Sequence, residues 1–314
     1  MADSGGEDRE TPQGPTDLNR RSWWGVLRRT VSEFQANKVT DWAAALTYYS
    51  VLSIFPGLLV LTALLGLLGP GATNSLVDTV RSIGPGSGTS LVVDAINQLQ
   101  GSRSLSGTVA IIGVLSALWT ASGYLGAFMR AANAIYHAEE GRPFYKTIPL
   151  RIGLTALMVL LIAACAAGVV ATGSLARRIG DWMGVGAGAV RVWDIAKWPV
   201  LVILVSLAIA LLYWISPNVR QYGFRWISPG SALAVILWIA ASAGFTLYVT
   251  SFGSYNKVYG SLAGAVIFLV WLWLTNVAVL LGAQFDAELA RARRMVEGHP
   301  EHEDPVLPPR DQPD

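Results

Sequence analysis

The side chains able to do chemistry are few, and most sit inside or at the edges of long apolar runs. Asn276 is the most polar residue within any such run. In hydrocarbon an amide must find a partner, so it should face protein or water. Gln284, Asp286 and Glu288 follow at the end of the same run. The first run holds Pro56 followed by Gly57. A proline there removes a donor, clashes with the preceding turn and frees a backbone carbonyl. Tyr48, Tyr49, Ser50 and Ser53 stand just before it, and Tyr49, Ser53 and Pro56 share a helical face by their i, i+4, i+7 spacing. Two readings are open: a broken helix lining a polar cavity, or an ordinary kink repaired by a serine hydroxyl. Tyr255, Asn256, Lys257 and Tyr259 form a second group, in the last turn on the opposite side. Their hydrogen bonds and ring faces suit a sugar or a headgroup, and equally a Tyr–Lys interface anchor.

Absences narrow the chemistry further. Cys165 is the single cysteine, and the three histidines are His137, His299 and His302. Neither a disulfide within the chain nor a cysteine metal site is expected, and histidine-ligated metal chemistry has almost no residues to draw on. No pair of carboxylates falls within an apolar run, which argues against a proton relay. There is no glycine-rich phosphate loop. No cofactor and no nucleic-acid partner are expected.

The elements that must hold these residues follow from composition. Of 314 residues, 53% are apolar and 14% charged, and the mean hydropathy is +0.45. An ordinary globular chain carries roughly 25% charged residues. Of 21 acidic residues, 5 fall in 1–17 and 6 in 297–314. The stretch between has too few charges to clothe a water-facing surface, so most of that surface must face lipid. Six apolar runs, 43–69, 107–129, 152–172, 199–216, 229–250 and 262–283, contain no Asp, Glu, Lys, Arg or His. Each is long enough for a hydrocarbon core of roughly 30 Å. Trp42, Trp198, Tyr213, Trp214, Trp226 and Tyr248 crowd their ends as an aromatic belt. Pro199 reads as opening the fourth span and Pro217 as closing it.

The expected fold is all-α: a polytopic bundle of six transmembrane helices with an N-terminal amphipathic helix. Residues 1–21 read as a disordered tail. Over 22–40, Trp23, Leu27, Val31 and Phe34 recur at helical spacing among Arg28, Arg29 and Glu33, the pattern of a helix lying in the membrane interface. The membrane domain is expected over 22–292. Residues 293–314, acidic and proline-rich from 297, read as a second disordered tail. The loop 70–106 has two segments of helical spacing, around Leu76–Ile83 and Val92–Leu99. Small residues four apart, such as Gly113, Ala117 and Ala121, predict close helix contacts. Lys and Arg number 14 on the side of both termini against 7 on the other, despite Arg177, Arg178, Arg191 and Lys197. The positive-inside rule then places both termini in the cytoplasm.

The runs AAALTYYSVLSIFPGLLVL (43–61) and VYGSLAGAVIFLVWLWLTNVAVLLGAQFDAEL (258–289) resemble the YihY/BrkB family of bacterial inner-membrane proteins. The resemblance covers about 22–292 and implies six membrane helices and the cytoplasmic membrane. Members carry labels such as envelope integrity protein and virulence factor BrkB, and the family was once labelled ribonuclease BN. The residue inventory gives that enzyme label no support. The family pattern after the last span resembles G-A-E-x-N, whereas this chain reads Gly282-Ala283-Gln284-Phe285-Asp286, with its acid two positions later. The function expected is that of a transporter or flippase-like protein for an envelope lipid or polar solute. The alternative is a structural envelope-integrity scaffold without a transport cycle. On either reading the bilayer is a partner, the protein is not an enzyme, and Tyr48, Tyr49, Ser53, Pro56, Asn276, Gln284 and Asp286 are expected to border one inward-opening cavity.

Overall fold

A computed structural model describes residues 20–67, 107–170, 187–221, 228–251 and 261–312, with isolated positions at 74, 77–78 and 93–94. Among these, seven helices follow one another: α1 (Arg20–Ala36), α2 (Val39–Leu67), α3 (Gly107–Ile135), α4 (Phe144–Val170), α5 (Ala187–Ile215), α6 (Pro229–Ser251) and α7 (Ser261–Val296). The only β pairing among the described residues is one antiparallel bridge between Val219 and Pro309. Among the described residues the regular structure is all-helical apart from that bridge, as the apolar runs require.

Four helices carry stretches long and apolar enough to cross a membrane: Phe144–Val169, Ile195–Ile215, Pro229–Val249 and Gly264–Val296. The runs 43–69 and 107–129 fall on α2 and α3, 29 residues each. Much of the outer surface of these helices is apolar: Leu160, Ile162, Ile203 and Leu247 are all exposed. Large apolar side chains left outside in such numbers mark a surface made for lipid. The bundle winds around α7, which contacts α1, α2, α3 and α6.

The main core lies toward the end of the bundle where α3 turns into α4. Val39, Ala43 and Leu46 of α2 meet Phe128, Ala131 and Ile135 of α3, Leu154 of α4, Tyr213 of α5 and Leu280 of α7. A smaller cluster of Val26, Phe285, Leu289 and Ala292 glues α1 onto α7. Trp23 stacks on Phe285 with ring centroids 6.1 Å apart, while Trp24, Leu27 and Val31 on the other face of α1 are exposed.

Three expectations change. Residues 297–312 are not a loose tail: they form a strap folded back across the end of the bundle. Val306 and Leu307 are each 1% exposed, and the Val306 N–H donates to the Tyr136 carbonyl at 3.0 Å. The acids of the strap meet bases of the bundle: Asp304 pairs with His137 at 2.7 Å, Glu303 with Arg294 at 3.0 Å and Asp311 with Lys146 at 2.8 Å. Composition averaged over the segment hides these two apolar anchors. Second, Pro199 does not open a span, because α5 begins twelve residues earlier at Ala187 and runs through it. One missing backbone hydrogen bond is tolerated where the flanking turns continue. Third, Arg191 and Lys197 therefore belong to a helix and not to a loop, and the Lys197 ammonium sits 5.7 Å over the Trp198 ring. Apart from positions 74, 77–78 and 93–94, the expected helices of 70–106 lie outside the described residues, as do the terminal residues 1–19.

Candidate functional site

The polar residues at the end of the last helix stand where they do because α7 outruns the membrane. Its 36 residues extend about 54 Å at 1.5 Å per residue, against a hydrocarbon core of roughly 30 Å. The apolar stretch up to Ala283 fills that thickness. Gln284 to Val296 are therefore not needed to span it, and their carboxylates and guanidiniums pair with one another and with neighbouring elements.

Asn276 is 3% exposed. Its amide donates to Thr47 Oγ1 at 3.1 Å, and its Oδ1 accepts from the Tyr124 hydroxyl at 3.0 Å. The Thr47 hydroxyl proton goes to the Ala43 carbonyl at 2.8 Å. The first and last long helices therefore meet through a polar contact at Asn276, and α3 joins it. The partner on α2 is Thr47, not Tyr49 or Ser53. Ala43, Leu46 and Thr47 form the buried face of α2, and Tyr49 lies about 200° around the helix from Thr47 at 100° per residue. Ser53 donates back to the Tyr49 carbonyl at 2.7 Å. Tyr48 is 61% exposed and meets Tyr49 edge-on at 5.4 Å. The side chain of Pro56 and the turn of Tyr255, Asn256, Lys257 and Tyr259 lie outside the described residues, though α2 is helical through position 56.

Gln284 and Asp286 face different neighbours. Gln284, fully buried, accepts from the Asn37 amide at 3.0 Å and donates to Glu288 at 3.3 Å. Glu288 in turn accepts from Arg29 Nε at 3.1 Å. Burial pushes the Glu288 carboxyl up, and the nearby Arg291 and Arg29 charges pull it back only in part. The Asn37 amide oxygen lies 3.0 Å from His137 Nε2, whose other ring nitrogen reaches Asp304 of the strap. One chain of polar contacts thus ties α1, α7, the α3–α4 turn and the C-terminal strap. The sequence singled out Gln284 and set Glu288 at the end of the same run, but it did not single out their partners Arg29, Asn37 and His137.

Asp286 points the other way, onto the start of α6. That helix begins with a capping box: Ser228 and Ser231 each take the other's backbone N–H at 3.0 Å, with Pro229 at the first position. Asp286 Oδ1 accepts the next free donor, the Gly230 N–H, at 2.7 Å. A carboxylate at a helix N-terminus is also favoured by the helix dipole. Beside it is a partly open cavity of about 80 Å³, with Tyr136, Tyr213, Gln221, Ser228, Arg293 and Leu307 in its wall. Burial pushes the Asp286 carboxyl up to about 6, against the pull of Ser228, the Gly230 N–H and the Arg293 charge. The cavity has room for a few waters or a small polar group, and its carboxyl can accept hydrogen bonds, pair with a cation or carry a proton.

A second polar knot closes the same end. Arg142 is buried, pairs with Glu140 at 2.6 Å and donates to the Ser216 carbonyl at 2.8 Å, capping the last turn of α5. Burial alone would raise the Glu140 carboxyl, but Arg142 and the Asn133 amide more than offset it and hold it below its ordinary value. Asn218 binds both the Glu139 and the Asp311 carbonyls, at 3.0 and 2.8 Å. Among the described residues, no three His, Cys, Asp or Glu side chains are placed to share a metal ion.

These helices and their polar ends match known sequences. The family profile described as Virulence factor BrkB matches residues 30–307. The chain is 29% identical over 276 residues to the "Putative ribonuclease-like protein YfkH" of Bacillus subtilis (strain 168), covering 88% of this chain and 99% of that one. It is 29% identical over 289 residues to a "UPF0761 membrane protein" of Chromohalobacter salexigens, covering 89% and 67%. A third relative, from Alteromonas mediterranea and also named a UPF0761 membrane protein, is 27% identical over 274 residues, covering 87% and 89%. No solved structure matches. With its long lipid-facing helices and a match that runs from α1 into the C-terminal strap, the chain is an integral membrane protein and belongs to the BrkB family.

Proposed function

We propose that this protein moves a lipid or small polar solute across the bacterial cytoplasmic membrane, with the Asp286 cavity as the inner end of its path. The observation that carries this reading is a buried carboxyl in a partly open cavity of mixed polar and apolar lining at one end of the bundle. An unneeded buried acid would be expensive, and intramembrane or membrane-edge acids usually mark function. The Thr47–Asn276–Tyr124 contact favours a second reading, a scaffold, because its hydrogen bonds close the seam between α2, α3 and α7. Neither reading makes the chain an enzyme. The ribonuclease-like name belongs to the Bacillus subtilis relative, and the polar groups around Gln284 and Asp286 pair with one another in helix caps and ion pairs.

The test uses liposomes carrying the purified protein and a trace of fluorescent phospholipid, quenched from outside by dithionite. Transport predicts quenching beyond the outer leaflet's share. Asp286→Asn should slow it roughly tenfold, the effect of about 1.4 kcal/mol on the barrier. If lipid and small polar solutes both stay put with the wild-type protein, the scaffold reading stands.

The orientation proposed has six spans, both termini in the cytoplasm and α1 lying in the inner interface. Cysteines at Ser87 and His302, in a Cys165→Ala background, should react with a membrane-impermeant thiol reagent on intact cells at 87 only. Labelling at 302 and not at 87 would reverse the topology.

A further inference from the structure

Two arginines near the α3–α4 turn have no acid to answer them. Arg130 of α3 is exposed, and its guanidinium lies 6.0 Å from the centre of the Tyr49 ring. Arg151 of α4 is half-buried, and its guanidinium lies 5.4 Å from the Trp119 ring. Neither has a carboxylate partner among the described residues, whereas Arg29, Arg142, Arg291 and Arg294 each meet an acid. Arg151 Nε is buried and has no hydrogen-bond partner among the described residues. Burying such a donor unanswered costs free energy, so packing within the bundle leaves the Arg151 side chain incompletely satisfied.

The two guanidiniums converge on Gly126. A Cβ at that position would stand 3.2 Å from Arg151 Nη1 and 3.7 Å from Arg130 Nη1, so the two nitrogens are less than 7 Å apart. Gly126 is buried at the α3–α4 contact, and its missing side chain leaves the floor on which both groups rest. Arg130 lies five residues before the end of α3 and Arg151 seven residues after the start of α4. At 1.5 Å per residue that is about 8 to 11 Å from the turn, and the two arginines flank the apolar runs 107–129 and 152–172, where a headgroup would meet such helices. The flanks suit acyl chains. Tyr48 and Leu52 are exposed one turn apart on α2, as are Leu115 and Trp119 on α3.

We infer that Arg130 and Arg151, seated on Gly126 between Tyr49 and Trp119, bind the phosphate of an anionic phospholipid headgroup. Guanidinium matches phosphate with paired donors, and neither guanidinium is taken by a carboxylate among the described residues. The site asks only for lipid binding, so it stands whether the protein transports or scaffolds.

The experiment is native mass spectrometry of the full-length protein in detergent. Phosphatidylglycerol, phosphatidylcholine of the same chains and inorganic phosphate are titrated separately. The wild-type protein is expected to bind phosphatidylglycerol roughly tenfold more tightly than phosphatidylcholine, as expected for two cations facing a net negative group. Arg130→Gln with Arg151→Gln should remove that preference. Lys38→Gln with Arg220→Gln changes the net charge equally and should keep it. Gly126→Ala retains both charges but brings a methyl to 3.1 Å from Arg151 Cδ; it should weaken phosphatidylglycerol several-fold, and it decides the matter if the double variant does not fold. Unchanged preference in the folded double variant, or in Gly126→Ala if only that folds, overturns the inference. So does displacement of the lipid by inorganic phosphate at equal concentration, which would make this a site for the free anion.

Discussion

Gly282→Ala is expected to destabilise the protein by about 3 kcal/mol or more, through overpacking and loss of a charge-assisted hydrogen bond. A methyl there would stand 2.6 Å from the Tyr213 hydroxyl and 2.8 Å from the Ala234 methyl, and it would press on the Gly230 carbonyl. The reverse substitution at Gly230 would press on the Gly282 carbonyl and the Asp286 carboxylate. The α6 and α7 backbones thus touch through two glycines, the close approach that small residues permit between membrane helices. The carbonyl is part of a helix and cannot swing away, so the helices must separate. Separation pulls Asp286 from the Gly230 N–H and opens the wall of the cavity. Tyr213 is caught in the same place, since its hydroxyl donates to the Val279 carbonyl. Gly153→Ala is the control, because nothing lies within 4 Å of its added methyl. A helical Gly→Ala change with open space should be neutral or stabilising by up to about 1 kcal/mol. Thermal unfolding in detergent, followed by loss of the monodisperse peak, separates the two. Equal melting temperatures for Gly282→Ala and Gly153→Ala would refute the close crossing.

The helices were readable in the sequence because length and hydropathy decide them almost alone. A run such as 229–250 has nowhere else to go, and α6 covers Pro229–Ser251. Asn276 was readable for the same reason in reverse: an amide in an apolar run must find a partner, and it is buried with two. The partner was not readable. Thr47 is an unremarkable helical residue, and only the crossing of α2 on α7 selects it over Tyr49 and Ser53, which face elsewhere on α2. The i, i+2 spacing of Gln284 and Asp286 already set them on opposed faces of one helix, yet it did not say that α1 would cover one and α6 the other. Arg130 and Arg151 were invisible as a pair. They are 21 positions apart in the chain, and it takes an antiparallel α3–α4 contact, with a glycine at the crossing, to bring them together. Windows of composition fail in the strap for a similar reason: two apolar residues among prolines and acids do not move an average, but two are enough to anchor sixteen.

That strap supports the last expectation. Leu307→Asp should release residues 297–312 from the bundle and unlock the end of the protein. Leu307 is 1% exposed, packs into the main core and forms part of the wall of the Asp286 cavity. A carboxylate forced into that place costs about 3 to 5 kcal/mol when it finds no partner. The strap's ion pairs to Lys146 and Arg294 are partly exposed and contribute little each, so they do little to offset that cost. Trypsin reads the outcome. Arg310 is tied down in the intact protein: its Nε donates to the Val219 carbonyl at 2.7 Å, and its N–H to the Asn218 carbonyl at 3.1 Å. Cleavage after Arg310 should therefore be slow in the wild-type protein. In Leu307→Asp it should accelerate by roughly a hundredfold or more, since each 1.4 kcal/mol lost to local opening is a factor of ten in the open population. His302→Ala, at an exposed position of the strap, should change nothing. Equal cleavage rates in the wild type and Leu307→Asp would mean that the segment is a free tail, and that the cavity beside Asp286 has no lid formed by this end of the chain.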